Sequence, residues 1–299
     1  MMNAKSHDAP RGKLLTNEPM SRHTSWRVGG PADQLYLPAD LADLVLFVKT
    51  LPPRQPLHWV GLGSNLLVRD GGLRGTVIMT SGALSAISTL GANVIRAEAG
   101  VACAKVARFS VSHGLVGGEF LAGIPGTIGG ALAMNAGAFG GETWRIVQAV
   151  ETLDRSGTLR TRTPADYRVS YRHVEGPAEE WFVAGHFALA KGEESKAKTL
   201  IKSLLARRGA TQPTQLPNAG SVFKNPPNDF AARLIEASGL KGVREGNARV
   251  SEMHANFIVN LGGARAADIE RLIGRVQEEV ERQHGVRLEP EVRVIGEPA

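Results

Sequence analysis

Gly117-Gly118-Glu119-Phe120-Leu121-Ala122-Gly123-Ile124-Pro125-Gly126-Thr127-Ile128-Gly129-Gly130-Ala131-Leu132-Ala133-Met134-Asn135-Ala136-Gly137-Ala138-Phe139-Gly140-Gly141-Glu142 is the densest signal in the chain. Nine glycines in these 26 residues let backbone N–H groups approach an anion without side-chain obstruction. The Ala-rich stretch after Gly130 reads as a short helix presenting its N-terminus to phosphate, and a pyrophosphate is the natural occupant. The same glycines also suit a tight packing corner. The familiar nucleotide loops do not explain them: GxxxxGK[ST] is absent, and no GxGxxG follows a strand with an acidic residue about 20 positions on. A second candidate, Gly61-Leu62-Gly63-Ser64-Asn65-Leu66-Leu67-Val68, follows the run His58-Trp59-Val60. There Ser64 and Asn65 bond a phosphate or turn the chain with the same donors.

Around these loops the pattern is short strands, glycine turns and a few helices, an α+β class. Strands are expected at 58–62, 76–79, 94–100, 147–153 and 181–190. Asp154-Arg155-Ser156-Gly157 signals a hairpin between Val147–Leu153 and Thr158–Arg162. Asp40 caps a helix striped by Leu41, Leu44, Val45 and Val48, and Ala102 to His113 forms another, stopped by Gly114. The opening to residue 22 is polar and irregular and is expected to be mobile, with structure starting near Trp26. Leu200, Ile201, Leu204 and Leu205 stripe a helix ending at Arg207-Arg208-Gly209, and Pro213 and Pro217 follow, so 194–217 reads as a connecting helix and linker. Beyond it lie a short helix at 230–236 with Asn228 as candidate cap, a strand at 255–260, a long helix striped by Ile269, Leu272, Ile273, Val276 and Val280, and a last strand at 286–296.

The chain has 299 residues, which favours two domains. At 42% apolar and 21% charged it is an ordinary globular composition, apart from 35 glycines, about 12% against a usual level of about 7%. The first twenty residues carry no apolar signal core and no apolar run reaches membrane-spanning length, so a cytoplasmic protein without membrane association is expected. One cysteine, Cys103, excludes internal disulfides and reads as packing. The eight histidines form no HExxH and no carboxylate cluster at metal spacing, so no metal is expected. The net charge of +6 suits an anionic partner or simple solubility. A nucleic-acid binder would want interleaved aromatics and a basic stripe, whereas aromatics are 5% and the cations are dispersed. The number of subunits is not set by the sequence; a monomer is favoured.

Seven blocks in order carry a resemblance: His23-Thr24-Ser25-Trp26-Arg27-Val28-Gly29-Gly30-Pro31-Ala32, GLGSNLLV from Gly61, GIPGTIGGALAMNAGAFGGE from Gly123, Tyr171-Arg172, Asn218-Ala219-Gly220-Ser221-Val222-Phe223-Lys224-Asn225-Pro226, His254-Ala255-Asn256-Phe257 and Leu288-Glu289-Pro290-Glu291-Val292. From about residue 23 to 296 the chain resembles the UDP-N-acetylenolpyruvoylglucosamine reductase family, in its compact branch that lacks an additional substrate-covering loop. The resemblance implies an FAD-binding domain of the vanillyl-alcohol oxidase / p-cresol methylhydroxylase type over 23–193 and a smaller α+β substrate-binding domain over 218–299, with a C-terminal strand returning to the active site. It implies noncovalent FAD, NADPH as hydride donor, and UDP-N-acetylglucosamine enolpyruvate as substrate, reduced to UDP-N-acetylmuramate for peptidoglycan. The alternative is another flavin oxidase or dehydrogenase on the same FAD-binding fold.

The resemblance also implies site residues. Cofactor contacts fall on Gly61, Gly63, Ser64, Asn65, Leu66, Gly123, Ile124, Pro125, Gly126, Thr127, Gly129, Gly130, Asn135 and Gly137. Tyr171, Lys224, Asn225, His254 and Asn256 are the substrate candidates, His254 and Asn256 equally suited to strand packing. Hydride addition at C3 of the enolpyruvyl group leaves negative charge spread from C2 into the carboxylate, a charge that a permanently ionised planar arginine suits. Arg172 matches that role, Ser221 matches the proton donor to C2, and Glu291 matches the assisting carboxylate, with Glu289 as the other candidate. The family pattern Tyr-Arg-x-Ser is broken, because Val174 stands at the serine position. A literal match at Tyr167-Arg168-Val169-Ser170 competes, but the spacing from Thr163-Pro164 favours Tyr171-Arg172.

Overall fold

The computed structural model describes residues 9–299. Residues 1–8, part of the segment expected to be mobile, lie outside the described residues. From Lys13 onward that expectation is corrected: Lys13–Pro19 is a strand and Met20–Arg22 a turn of 3-10 helix with Met20 fully buried. The strand hides in sequence because most of its side chains face solvent, which leaves no apolar alternation to read.

The chain forms two compact units, neither continuous in sequence: residues up to Thr16 with Gln34–Gly61 and Gly75–Ile201, and Asn17–Asp33 with Leu62–Arg74 and Lys202–Ala299. Three of the dividing positions fall inside strands, one inside a helix and one, Gly61/Leu62, in the loop after Val60. The expected linker at 194–217 is mostly helix, α4, over Glu194–Thr211 (α1, α2 and α3 being Leu41–Thr50, Cys103–Ser112 and Ile128–Met134). Gly209 does not end α4, since one helical glycine costs only about 1 kcal/mol; Pro213 stands where it stops. The apolar stripe expected to be covered is half open, with Ile201 buried but Leu200 and Leu205 exposed.

In the first unit a five-stranded antiparallel sheet runs in the order Leu159–Arg162, Val147–Asp154, Glu180–Ala188, Val94–Glu98, Ile87–Leu90. Alternation puts Ile95, Ala97 and Val150 on one face, where Val106, Ala107 and Val111 of α2 and Ile128, Ala131 and Leu132 of α3 pack on them. The hairpin expected at Asp154 forms, with Leu153 opposite Leu159 and the Asp154 carboxylate accepting from the Ser156 and Thr158 N–H groups. Leu57–Val60 runs parallel to Leu73–Met79, in register from Leu57 with Thr76 to Val60 with Met79. Asp40 caps α1 as expected, accepting from the Asp43 N–H at 2.8 Å.

In the second unit, Arg244–Glu245, Ala248–Val250 and Ile258–Asn260 make a small antiparallel sheet against α6, Ala266–His284. All five residues of the stripe predicted for this helix are buried. Two early segments belong to this unit, which corrects a single FAD-binding domain over 23–193. Leu66–Val68 pairs in parallel with Arg293–Ile295. Trp26 is fully buried and its Nε1 donates to the Ile258 carbonyl at 2.7 Å. The Asp70 carboxylate accepts from the N–H groups of Ala266 and Ala267 at 2.9 and 3.0 Å, capping α6 from 196 residues away in sequence. The second helix here, α5, spans Ala231–Ala237; its first N–H donates to Asn225 Oδ1 at 3.1 Å rather than to Asn228, which sits at φ 61°.

Candidate active site

In the first unit, α3 begins at Ile128, two residues before Gly130 rather than after it, and its first amides are already used: Ile128 N–H donates to Val101 O and Gly129 N–H to Ala99 O. The helix start is therefore pinned to the chain around 99–101 instead of presenting those donors outward. What stands open lies beside them. Thr127 Oγ1 is buried without a hydrogen-bond partner. A Cβ on Gly61 would meet that oxygen at 2.2 Å, and one on Gly130 would meet nothing nearer than it, at 4.0 Å. A buried hydroxyl costs about 1–3 kcal/mol when left unpaired, so a side-chain-free cradle around an orphan hydroxyl fits a polar ligand such as a cofactor phosphate or ribityl group. Glycines 123 and 129 are also required by packing, since a Cβ there would strike Phe139 at 2.4 Å and Ala99 at 2.9 Å. Ile124 is buried, Pro125 is exposed, and the Gly126 carbonyl accepts from the Cys103 N–H, which fixes the loop to the start of α2.

Arg172 occupies a two-residue turn between the strands Arg168–Ser170 and His173–Glu175, with Ser170 opposite His173. Its φ is 54°, a left-handed value that a turn normally gives to glycine or asparagine. The guanidinium forks onto two carbonyls, Nη1 to Asn135 O at 3.2 Å and Nη2 to Gly137 O at 3.0 Å, and lies over the exposed Tyr171 ring at 4.9 Å. Residue 137 must be glycine: a Cβ would stand 2.3 Å from Gly141 O and 3.1 Å from Arg172 Nη1.

The competing register has a different place. Tyr167 is packed against Trp144 and Phe182, its hydroxyl buried and pushed up to about 12 by that burial, while the Arg168 side chain is 87% exposed. Val174 pairs with Val169 and packs against the core, so position 174 serves the sheet.

Asn135 serves as internal support. It is 1% exposed and ends α3 in the left-handed conformation. Its Oδ1 accepts from the Trp144 N–H at 3.1 Å, and its Nδ2 donates to Ser170 O at 3.1 Å and Glu142 Oε2 at 3.3 Å.

In the second unit, Ser221 and Glu291 lie on neighbouring stretches of backbone. Glu291 N–H donates to Val222 O at 2.7 Å, Lys224 N–H to Glu289 O at 2.9 Å, and Phe223 bridges Pro290. Ser221 follows Gly220 at φ 74°, in a turn closed by Asn218 Oδ1 on the Gly220 N–H. Asn256 packs its strand: its buried amide accepts from Phe223 N–H at 2.9 Å and donates to Phe223 O at 2.8 Å. His254 is held by the Asn256 N–H on Nδ1 and by Phe257 edge-on, and burial lowers its pKa, so it is neutral near pH 7. Lys224 pairs with the exposed Glu289 at 2.6 Å, and Asn225 starts α5.

Of the second loop, Asn65 joins the same framework: Nδ2 donates to Glu291 O and its own carbonyl accepts from the Arg293 N–H, both at 3.0 Å. Leu66 opens the strand beside Arg293, Ser64 is half-buried at the turn, and a Cβ on Gly63 would stand 2.0 Å from His23 O. Sequence reasoning missed the support given by Asn135, although an asparagine just past a helix end is the available signal. Among the described residues no group of three His, Cys, Asp or Glu could hold a metal ion, and no helix is long and apolar enough to cross a membrane.

The cradle around Thr127 falls in a chain whose residues 32–162 match the FAD binding domain family, which makes this a flavin-binding oxidoreductase. Residues 212–295 match the C-terminal domain of UDP-N-acetylenolpyruvoylglucosamine reductase. The chain is 61% identical to the UDP-N-acetylenolpyruvoylglucosamine reductase of Alkalilimnicola ehrlichii, over 99% of both chains, and 59% identical to that of Methylococcus capsulatus, over 98% of this chain and 97% of that one. The crystal structure of the Thermus caldophilus reductase superposes with a TM-score of 0.79 at 32% identity, covering 95% of this chain and 98% of the other. The chain belongs to the UDP-N-acetylenolpyruvoylglucosamine reductase family.

Proposed function

We propose that this protein is an FAD-dependent enzyme that uses NADPH to reduce UDP-N-acetylglucosamine enolpyruvate to UDP-N-acetylmuramate, in peptidoglycan precursor synthesis in the cytoplasm. The full-length 61% identity to a reductase of that name carries the reading. Bound FAD supplies two-electron transfer between NADPH and the enolpyruvyl ether.

The residues supply the rest. Addition of hydride at C3 builds negative charge on C2 and the adjacent carboxylate, and the Arg172 guanidinium, a planar fork of donors, stabilises it. Ser221 gives its proton to C2. An alcohol is a weak acid, so this step needs help with the transient alkoxide, and Glu291, carried on the backbone paired with Val222, is the group proposed to assist. Lys224 is proposed to meet the diphosphate as a point charge, Tyr171 and His254 to contact the substrate, and Thr127 with Gly61 and Gly130 to hold the cofactor. A preparation of the protein should be yellow and release intact FAD on denaturation. Protein that neither carries FAD nor takes it up when the apo form is mixed with it would overturn the assignment.

A further inference from the structure

We infer that Asn135 is a positioning residue whose buried amide fixes the Tyr171-Arg172 turn against the α3 terminus and so aims the Arg172 guanidinium. This rests on the role proposed for Arg172. Arg172 sits at a turn position with φ 54°, where nothing intrinsic to arginine favours the conformation, so the surroundings must impose it.

Gly137 O takes one arm of the guanidinium fork at 3.0 Å, and Asn135 supplies contacts to both the turn and the other arm. Asn135 Nδ2 holds the residue before the turn through Ser170 O at 3.1 Å, while its own carbonyl receives Arg172 Nη1 at 3.2 Å. Oδ1 is fixed in turn by the Trp144 N–H at 3.1 Å. One buried residue therefore grips both the backbone that carries the arginine and the charged end of its side chain. Asparagine meets both demands, because it tolerates the left-handed backbone at φ 46° and carries a donor and an acceptor on a short stem. A shift of about 1 Å in a catalytic group costs on the order of 100-fold in rate, so loosening this grip should be visible in the step that uses Arg172 and in no other.

The test is a double-mutant cycle read on separated half-reactions. Asn135→Gly keeps the left-handed backbone and deletes the amide, and Asn135→Asp keeps the size and the Trp144 acceptor while removing the donor to Ser170. Flavin content, Tm, reduction by NADPH and reoxidation by UDP-N-acetylglucosamine enolpyruvate are measured for each, alone and combined with Arg172→Ala. The expected result is reoxidation slowed about 10- to 100-fold by either variant, reduction by NADPH and flavin content within about twofold of the parent, and less than about twofold further loss when added to Arg172→Ala. Slowing by the same factor with and without Arg172 overturns the inference, as does full-speed reoxidation in both variants, or loss of flavin or fold in both. If Arg172→Ala itself reoxidises at the parental rate, the role proposed for Arg172 falls, a result distinguishable from failure of Asn135 alone.

Discussion

Replacing Asn256 with alanine tests the framework that carries Ser221 and Glu291. The residue is 4% exposed and its amide closes a two-bond ring with the Phe223 backbone, accepting at 2.9 Å and donating at 2.8 Å. Alanine removes both partners at once, leaving the N–H and C=O of Phe223, itself 2% exposed, buried and unsatisfied. At about 1–3 kcal/mol for each orphaned group, the loss is roughly 2–6 kcal/mol. For a chain of this size about 2 °C accompanies each kcal/mol, so the Tm should fall by roughly 4–12 °C. The chemistry should suffer separately, because Phe223 bridges Pro290 between the two residues proposed for proton delivery. Thermal unfolding followed by circular dichroism gives the first quantity, and stopped-flow reoxidation at a temperature where the variant is fully folded gives the second. A Tm within about 1 °C of the parent, with reoxidation unchanged, would refute the assignment of this amide as the brace.

Ser221→Ala should leave reduction by NADPH intact and slow product formation by about 10²–10⁴, the usual worth of a positioned acid; equal loss in both steps would reject the serine as proton donor. Arg172→Ala should lose about 2.7–4 kcal/mol of transition-state stabilisation, read from kcat/KM, whereas Arg168→Ala, at a side chain 87% exposed, should change little; the reverse order would move the site to the other Tyr-Arg pair. Gly130→Ala should stabilise apo α3 by about 0.5–1 kcal/mol through helix propensity while weakening FAD binding, because the new methyl group enters the space beside Thr127; unchanged FAD affinity by fluorescence titration would put the cofactor elsewhere. Burial pushes the Asp43 carboxyl up, but the N–H groups of Arg11 and Ala39 and the Tyr36 hydroxyl outweigh it and hold it below the ordinary 3.8. With the folded value depressed, its stabilisation is present above the unfolded value and lost as pH falls through the folded one, so stability should drop below about pH 4 in the parent. Asp43→Asn should flatten that drop in urea titrations, and parallel profiles would contradict it.

Motifs in the sequence located both loops, the Tyr-Arg turn and the Ser221 and Glu291 segments, because those stretches combine residue types that have few other uses together. Periodicity located α1, α2 and α6, each with a clean apolar face. What escaped has a common cause. Trp26, Leu66–Val68 and Asp70 join the C-terminal unit through a buried indole, a three-residue parallel ladder and a remote carboxylate cap, contacts that leave no local period. The edge strand Lys13–Pro19 is mostly solvated, so its composition resembles a loop. The internal bonds of Asn135 escaped because partners at Ser170 and Trp144 leave no local pattern, whereas strand packing by Asn256 is one of its two sequence readings, and its amide does meet the Phe223 backbone.

The central claim is best tested by reducing the protein with one equivalent of NADPH under anaerobic conditions, mixing it with UDP-N-acetylglucosamine enolpyruvate, and following flavin absorbance near its long-wavelength maximum. Return of the oxidised spectrum, with UDP-N-acetylmuramate formed in amount equal to flavin reoxidised, is the predicted result. A flavin that stays reduced in the presence of this substrate would contradict the account.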